Sequence, residues 1–508
     1  MYPIDLFYRQ AARAPERIAV EFGAERCTYG ELLARTCALA AGLQSLDPAP
    51  GSRVGICCFN HVEHLVAWLA VIAAGKVWVP LYPKNKAAEI GQGIDFTQMS
   101  LVIVDAHSRH LVEGAGAQVL VADPDGGAGT TGALARAHAG AAPRPHLLPL
   151  SDTQAIKFTG GTTGKPKGVM QPYRAWNTNI ATQVLAWGLK EGDRMLAAAP
   201  ITHGTSTYIL PTLGTGGTLV LLDQPRPEDT LRCLAEERIA TTFLPPTVIY
   251  MMMQLPAARA ANYDHLRNLV YGSAPMRPDA IAEAQSVFGP RIASTYGQTE
   301  APQIATMISA QEMTRPELRA SVGRETILTR VAIMDQAGQV LPQGEYGEIV
   351  IRGDLVMSGY WRQPDKTAET LIDGWLHTGD LGQFDADGFL YIKGRAKDLI
   401  ITGGFNVYPI DVEPVIAQHA AVADCAVFGV PDDKWGESVH AAVELRDGAQ
   451  ADPDEIIRFV KDKLGSVKAP KSVAFYERLP RNNYGKLQKQ VLVDDHIAHA
   501  SAKEDARS

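Results

Sequence analysis

Arg267–Ala274, RNLVYGSA, is a short apolar run that opens on polar residues and leaves through small ones. Runs of the same kind recur at RVGICCF from Arg53, SLVIVDA from Ser100, RMLAAAP from Arg194, TLVLLD from Thr218 and TTFLPP from Thr241. Longer helical patterns separate them, and this rhythm predicts mostly parallel α/β layers. The helix signals include the apolar set of EDTLRCLAEERIA and a capping pattern at Asp264. In such layers the loops at strand ends carry the chemistry.

The chain has 508 residues, enough for about three domain-sized units with a large core. A net charge of -8 argues against broad attraction to nucleic acid or to an anionic bilayer, while leaving room for local basic pockets. The six cysteines, at 27, 37, 57, 58, 233 and 425, lack zinc-ligand spacing and read as reduced core thiols. The N-terminal MYPIDLFYRQAARAPERIAV carries charges where a signal peptide needs an apolar stretch. HLVAWLAVIAAG, His64 to Gly75, is too short to span a bilayer and reads as a buried helix, so no integral membrane segment is expected and a cytoplasmic location is the default.

Gly114–Ser151 is rich in Gly and Ala and reads as a surface excursion without a function. From Glu345 the strands EIVIRG and FLYIKGR, with the turn DADG, suggest an antiparallel β unit. After Lys397 a smaller α/β unit is expected, with a frayed polar tail from Asp494.

TGGTTGKPKG, Thr159 to Gly168, gathers four glycines, three threonines and two lysines in one loop, a composition suited to cradling phosphates. It is not a Walker loop. Position 159 is Thr rather than Gly, and Pro166 stands where the magnesium-binding Ser or Thr would follow the lysine. Further along come YGSAP at 271–275, STYGQTE at 294–300, HTGDLG at 377–382, GRAKDLIITGGFNVYP at 394–409 and NYGKLQK at 483–489. Together, in this order, these motifs resemble the adenylate-forming superfamily of acyl-CoA synthetases, peptide-synthetase adenylation domains and firefly luciferase. The likeness covers nearly the whole chain from CTYGELLARTCALAAGL near residue 27, and is greatest to bacterial acyl-CoA synthetases.

The resemblance implies a large layered N-terminal domain over residues 1–394, with two mostly parallel sheets and a β-barrel-like subdomain. A hinge at 395–397 and a small mobile α+β C-terminal domain over 398–508 would follow. It implies an enzyme that takes ATP, Mg2+ and coenzyme A with a small-molecule carboxylic acid, as a monomer or homodimer. The nucleotide set would be Thr159, Gly160, Gly161, Thr162, Thr163, Gly164, Lys165 and Lys167, then Gly272, Ser273, Ala274 and Pro275. Ser294, Thr295, Tyr296, Gly297, Gln298 and Thr299 complete it on that side, with Asp380, Ile392, Arg395 and Lys486.

The residue types have matching physical readings. Tyr296 offers a flat face for a purine, and Gly272 with Ala274 allows close backbone approach on the other side. Glu300 is a hard oxygen ligand, which the resemblance makes the magnesium site. Asp380 can accept two hydrogen bonds from vicinal hydroxyls, and the resemblance places it, with Arg395, on the ribose. Lys486 matches the adenylation lysine, whose ammonium offsets repulsion as two anions meet. Thr162 and His203 join Glu300 and Lys486 in the catalytic set. Lys397 falls at the pivot, and Gly403, Gly404, Phe405 and Asn406 would face CoA.

By the same resemblance the acyl pocket draws on PITHGTSTYILPTL, TFLPPTVIYMMM and APQIAT, with His203, Tyr208, Val248, Tyr271, Gly272 and Pro302. His203 is read either as a gate or as a packed, hydrogen-bonded histidine. Ile401 stands where plant coumarate ligases and luciferases carry a lysine, which separates the chain from that branch. PITHGT lacks the aspartate with which amino-acid-activating relatives hold an ammonium. The expected reaction is therefore acyl-CoA formation on a hydrophobic aliphatic or aromatic monocarboxylate. Loading of a separate carrier protein's phosphopantetheine is the alternative within this chemistry. A catalytically inactive nucleotide-binding or scaffolding protein is the alternative of another class.

Overall fold

The computed structural model describes residues 1–159, 167–481 and 487–505. The contacts divide the chain into two units: Met1–Val331 with Val350–His377, and Ala332–Ile349 with Thr378–Ser508.

Two sheets dominate the first unit. In one, the strands lie in the order Gly359–Tyr360, Lys167–Pro172, Thr153–Thr159, Val77–Pro80, Arg53–Cys57, Leu101–Val104 and Gln118–Val121. In the other, the order is Arg324–Glu325, Thr306–Ile308, Ile292–Tyr296, Asn268–Tyr271, Thr241–Leu244, Arg194–Ala197, Thr218–Leu221, Ile18–Phe22 and Glu25–Thr28. All six apolar runs form strands, and their mutual pairings are parallel. The helix Val62–Ala73 buries every residue but Glu63, as the unbroken apolar run from Leu65 requires. Trp68, Trp78 and Trp176 pack ring to ring in the same core, with centroids 5.8 to 6.2 Å apart.

Two expectations for this unit need correction. Asp264 caps no helix: it lies in a turn where its N–H donates to Asn262 Oδ1 at 2.8 Å, and the chain enters a strand at Asn268. The Gly/Ala-rich stretch from 114 is structured, because Gln118–Val121 pairs parallel with Leu101–Val104 and Thr131–Ala137 forms a helix capped by Thr130. The segment after the helix, to Ser151, is irregular.

In the second unit Leu390–Arg395, from the expected strand FLYIKGR, pairs antiparallel across the DADG turn with Asp380–Phe384, which lies on the strand Trp375–Phe384. Beyond it, Ile400–Thr402, Phe405–Val407, Val422–Asp432, Gly436–Leu445 and Ser472–Tyr476 form one mixed sheet around an aliphatic core. Helices Pro409–Ile416 and Pro453–Leu464 contribute Val412, Ile416, Ile456 and Val460 to that core. The polar tail is not frayed at Asp494, since Lys489–Asp505 is helical and buries Leu492 against Phe428 and Leu479.

Candidate active site

In the first unit, the phosphate-loop candidates are set by a hairpin. Thr159 ends one strand and faces Lys167 at the start of the next, so the intervening residues join two paired strand ends. Gly160, Gly161, Thr162, Thr163, Gly164 and Lys165 lie outside the described residues. Gly168 is required by close approach: a Cβ there would sit 2.9 Å from Ile156 Cγ2, and its carbonyl accepts the Trp361 N–H at 2.7 Å.

Two purine-facing candidates leave neighbouring parallel strands at the same end. Tyr271 is in register with Ser294, so Gly272–Pro275 and Tyr296–Thr299 emerge side by side. Ser273 has φ +68, unusual for a residue with a Cβ, and Ser273, Ala274 and Pro275 are exposed. Gly272 could not carry a Cβ without meeting Phe243 at 3.1 Å and the Thr295 carbonyl at 3.2 Å. Thr295 Oγ1 donates to the Gln303 carbonyl at 2.6 Å, which fixes the return of the chain after the YGQTE turn. Tyr296 is buried apart from a small part of its surface, 8% exposed.

Glu300 is held from two directions. Its carbonyl accepts the Met357 N–H at 2.8 Å, and its Oε1 accepts the Tyr360 hydroxyl at 2.8 Å. Thr299 is fixed by Gln171, whose Nε2 donates to its carbonyl at 2.8 Å. A carboxylate so positioned is a hard oxygen donor suited to a divalent cation.

The acyl-pocket candidates gather around a kinked turn. His203 interrupts the Ile201–Thr205 turn with φ -112 and ψ -140, its Nδ1 lies 2.7 Å from Thr202 Oγ1, and Tyr82 packs edge-on at 4.7 Å. Burial first, and then the Lys157 charge, pushes His203 down to about 4, so its ring is neutral near neutral pH. Tyr208 is fully buried, stacks on Phe243 at 5.4 Å and lies 3.2 Å from Gln303 Nε2. Gly204 admits Phe243 and Gln303 to the same place, since a Cβ would lie 2.7 Å and 3.2 Å from their side chains. Pro302 is buried and its carbonyl accepts Asn179 Nδ2 at 3.0 Å, while Val248 is half-buried on the helix Pro246–Met253.

Lys157 escaped the sequence reading. It is buried with no carboxylate of the described residues paired to it; its Nζ donates to Ser206 Oγ at 2.8 Å and to the His203 carbonyl at 3.3 Å. Trp78 and Trp176 present ring faces 5.0 and 5.4 Å away. Burial alone depresses its ammonium to about 7. The available signal was a lone lysine in the apolar strand QAIKFT, on the same face as Ala155. Tyr360 was missed as well, and its role depends on pairing across distant sequence.

Cys58, His61 and Asp105 bring their donor atoms within 4.8 Å of one another. His61 Nδ1, however, accepts the His64 N–H at 3.1 Å as a helix cap, so the neutral ring carries its proton on Nε2 and offers no second lone pair. Asp105 in turn accepts the Phe59 and Ser108 N–H groups, each at 2.7 Å. The cluster is a loop fastener.

In the second unit, Asp380 is buried and its Oδ1 lies 3.0 Å from Arg395 Nε. The two ribose candidates thus face each other across one rung, with Ile392 half-buried on the same strand as Arg395. The Asp380 N–H donates to Thr378 Oγ1 at 3.1 Å, and the Gly379 N–H donates to Glu348 Oε1 at 2.8 Å. Lys397 is exposed in the short turn Ala396–Asp398. Gly403 and Gly404 take φ +57 and +82 in the hairpin before Phe405, a backbone that glycine adopts without strain. Phe405 is 60% exposed at its tip, and Asn406 is exposed next to it. Lys486 lies outside the described residues.

Residues 7–361 match the AMP-binding enzyme family, and residues 411–486 match the AMP-binding enzyme C-terminal domain. The chain belongs to the AMP-binding enzyme family. This AMP-binding enzyme is 36% identical over 491 residues to a medium/long-chain fatty acid–CoA ligase of Mycobacterium tuberculosis, covering 92% of this chain and 86% of that one. It is 35% identical over 493 residues to a feruloyl-CoA synthase of an Amycolatopsis species, covering 95% and 96%. Its fold matches that of ATP-bound MatB from Rhodopseudomonas palustris with a TM-score of 0.88 at 32% identity, covering 98% and 99%. It is an adenylate-forming enzyme of the acyl-CoA ligase type, and the family binds ATP. No helix among the described residues is long and apolar enough to cross a membrane.

Proposed function

We propose that the enzyme is an ATP-dependent carboxylic acid:CoA ligase acting on a hydrophobic aliphatic or aromatic monocarboxylate. The observation that carries this reading is the meeting, in one unit, of three features. These are the paired ends of the phosphate hairpin, the side-by-side exits after Tyr271 and Tyr296, and a Glu300 carboxylate held by Tyr360. The neutral His203, the stacked Tyr208 and Phe243, and the lack of an acidic residue in PITHGT favour an uncharged acyl group.

In the first half-reaction an acid carboxylate oxygen attacks the α-phosphorus of ATP, and pyrophosphate leaves with the electrons of the broken P–O bond. In the second, the CoA thiolate attacks the acyl carbonyl carbon and AMP leaves. Tyr296 and the Gly272–Pro275 backbone hold the purine, Asp380 with Arg395 holds the ribose, and Lys486 neutralises charge between acid and nucleotide. Glu300 would hold Mg2+, which supplies charge neutralisation on the phosphate oxygens. Lys397 serves as the pivot between a large domain ending at 394 and a small one starting at 398, and Gly403–Asn406 borders the path of the pantetheine arm.

A panel of fatty, aryl and short dicarboxylic acids, scored for pyrophosphate release with and without CoA, tests the reading. Hydrophobic monocarboxylates should give release that CoA accelerates, with acyl-CoA as product. Turnover only with a phosphopantetheinyl carrier protein would transfer the assignment to carrier loading, and no release with any acid would end it.

A further inference from the structure

Glu300 does not stand alone, and its support comes from a strand whose position in sequence gives no hint of it. Gly359–Tyr360 is a two-residue strand that pairs antiparallel with Lys167–Pro172, placing Tyr360 opposite Val169 and Gly359 opposite Met170. Its flanks continue the lacing: the Ser358 N–H donates to the Met170 carbonyl at 2.9 Å, and the Trp361 N–H to the Gly168 carbonyl at 2.7 Å. The segment is therefore fastened to the strand that leaves the phosphate loop, beginning one residue after Lys167. From this mount the buried Tyr360 hydroxyl reaches Glu300 Oε1 at 2.8 Å, while Met357, three residues earlier, holds the Glu300 carbonyl. The Lys167 Nζ lies 5.4 Å from the Tyr360 ring centre, so the ring also borders a phosphate-binding candidate. Thr367 Oγ1 accepts the Tyr360 N–H at 2.9 Å and fixes the strand from its other side.

We propose that Tyr360 is a positioning residue for the divalent cation: its hydroxyl orients the Glu300 carboxylate and ties that orientation to the strand leaving the phosphate loop. The proposal rests on the reading of Glu300 as the cation ligand. Its physical basis is that a carboxylate ligand rotates freely about its last torsion unless one oxygen is held, and a fixed oxygen leaves the other to face the cation without an ordering cost. Hydrogen-bond partners of metal ligands commonly set affinity by about 10- to 100-fold.

The test uses the full-length chain and Tyr360→Phe, which keeps the ring, its burial and its contact with Lys167 while removing only the oxygen. Mn2+ binding, followed by electron paramagnetic resonance with a non-hydrolysable ATP analogue present, should weaken about 10-fold. The Mg2+ concentration for half-maximal adenylation should rise in parallel, with thioester formation from supplied acyl-adenylate unchanged. Glu300→Gln is measured beside it. If Glu300→Gln leaves Mn2+ binding intact, the assignment of Glu300 fails; if it weakens binding and Tyr360→Phe does not, the positioning role of Tyr360 fails. Should Tyr360→Phe lower the melting temperature, the double variant decides. Cation binding no weaker than in Glu300→Gln alone supports the proposal, whereas a full additional loss assigns the effect of Tyr360 to general stability and overturns it.

Discussion

Replacing Lys157 by Met should make the protein more stable, and by an amount that shrinks as the pH rises. The wild-type ammonium is buried against two tryptophan faces, and burial lowers its pKa from 10.5 to about 7. The unfolded chain therefore binds a proton that the native state releases throughout the window from about pH 7 to about pH 10.5, so wild-type stability climbs with pH there. Below that window both states are protonated and the full penalty, roughly 5 kcal/mol, is present. Linkage gives a penalty of roughly 5 kcal/mol near pH 6 and about 2 kcal/mol near pH 9. Methionine removes that term and suits an aromatic surround, but it forfeits the cation–π contacts and the bond to Ser206, together about 2 kcal/mol. The His203 carbonyl keeps the Ser206 hydroxyl as a donor at 2.7 Å, so the substitution strands no acceptor there. The variant should thus gain on the order of 3 kcal/mol near pH 6, and the gain should fall by about 3 kcal/mol by pH 9. Urea titrations at both pH values, read by the fluorescence of the neighbouring tryptophans, measure this. Stability curves that run parallel from pH 6 to 9 would refute a lysine titrating within the core.

Lys486→Ala should lower adenylate formation by about a thousandfold while sparing thioesterification of supplied acyl-adenylate, and separate assays of the half-reactions check this. Lys397→Pro locks φ at the pivot; single-turnover assays should show pyrophosphate release preserved and acceleration by CoA lost, and a folded variant with parental thioester formation would place the pivot elsewhere. In the second unit His440 bridges Ser438 and Ser472 at 2.8 Å each, lies 4.1 Å from the His496 ring, and is pushed down to about 4 by burial and then by His496. Its native pKa lies below the unfolded value, so the stability it confers is present above about pH 6.5 and is lost toward pH 4, up to roughly 3 kcal/mol. His440→Gln should flatten that acid limb in pH-resolved urea titrations.

The strands that build the two large sheets were legible because each is a short apolar run flanked by turn residues. The capping signal at Asp264 misled, because the residues that follow enter the strand at Asn268 and strand pairing outweighs a local capping signal. The Gly114–Ser151 region misled in the opposite way: the Gly and Ala around it masked the short apolar run QVLV at 118–121, which gains order by completing an existing parallel edge. Local chemistry and family likeness put forward Gly272, Tyr296, Glu300, Asp380 and Gly403 as candidates. Lys157 and Tyr360 were not, because what defines each is a partner far away in sequence: Ser206 and two tryptophans for one, Glu300 for the other. Side-chain alternation exposes an odd residue on a buried face, but it does not say what that residue touches.

The short strand Gly359–Tyr360 also bears on solubility. It occupies the outer border of its sheet, covering the backbone donors and acceptors of Gly168, Val169 and Met170 that would otherwise face solvent in a row. Open borders of this kind recruit strands from other molecules, and two residues are too few to template such recruitment themselves. A nascent chain that has not yet emerged past Trp361 therefore displays an adhesive seam, which closes only when this segment arrives some 190 residues after the strand that it covers.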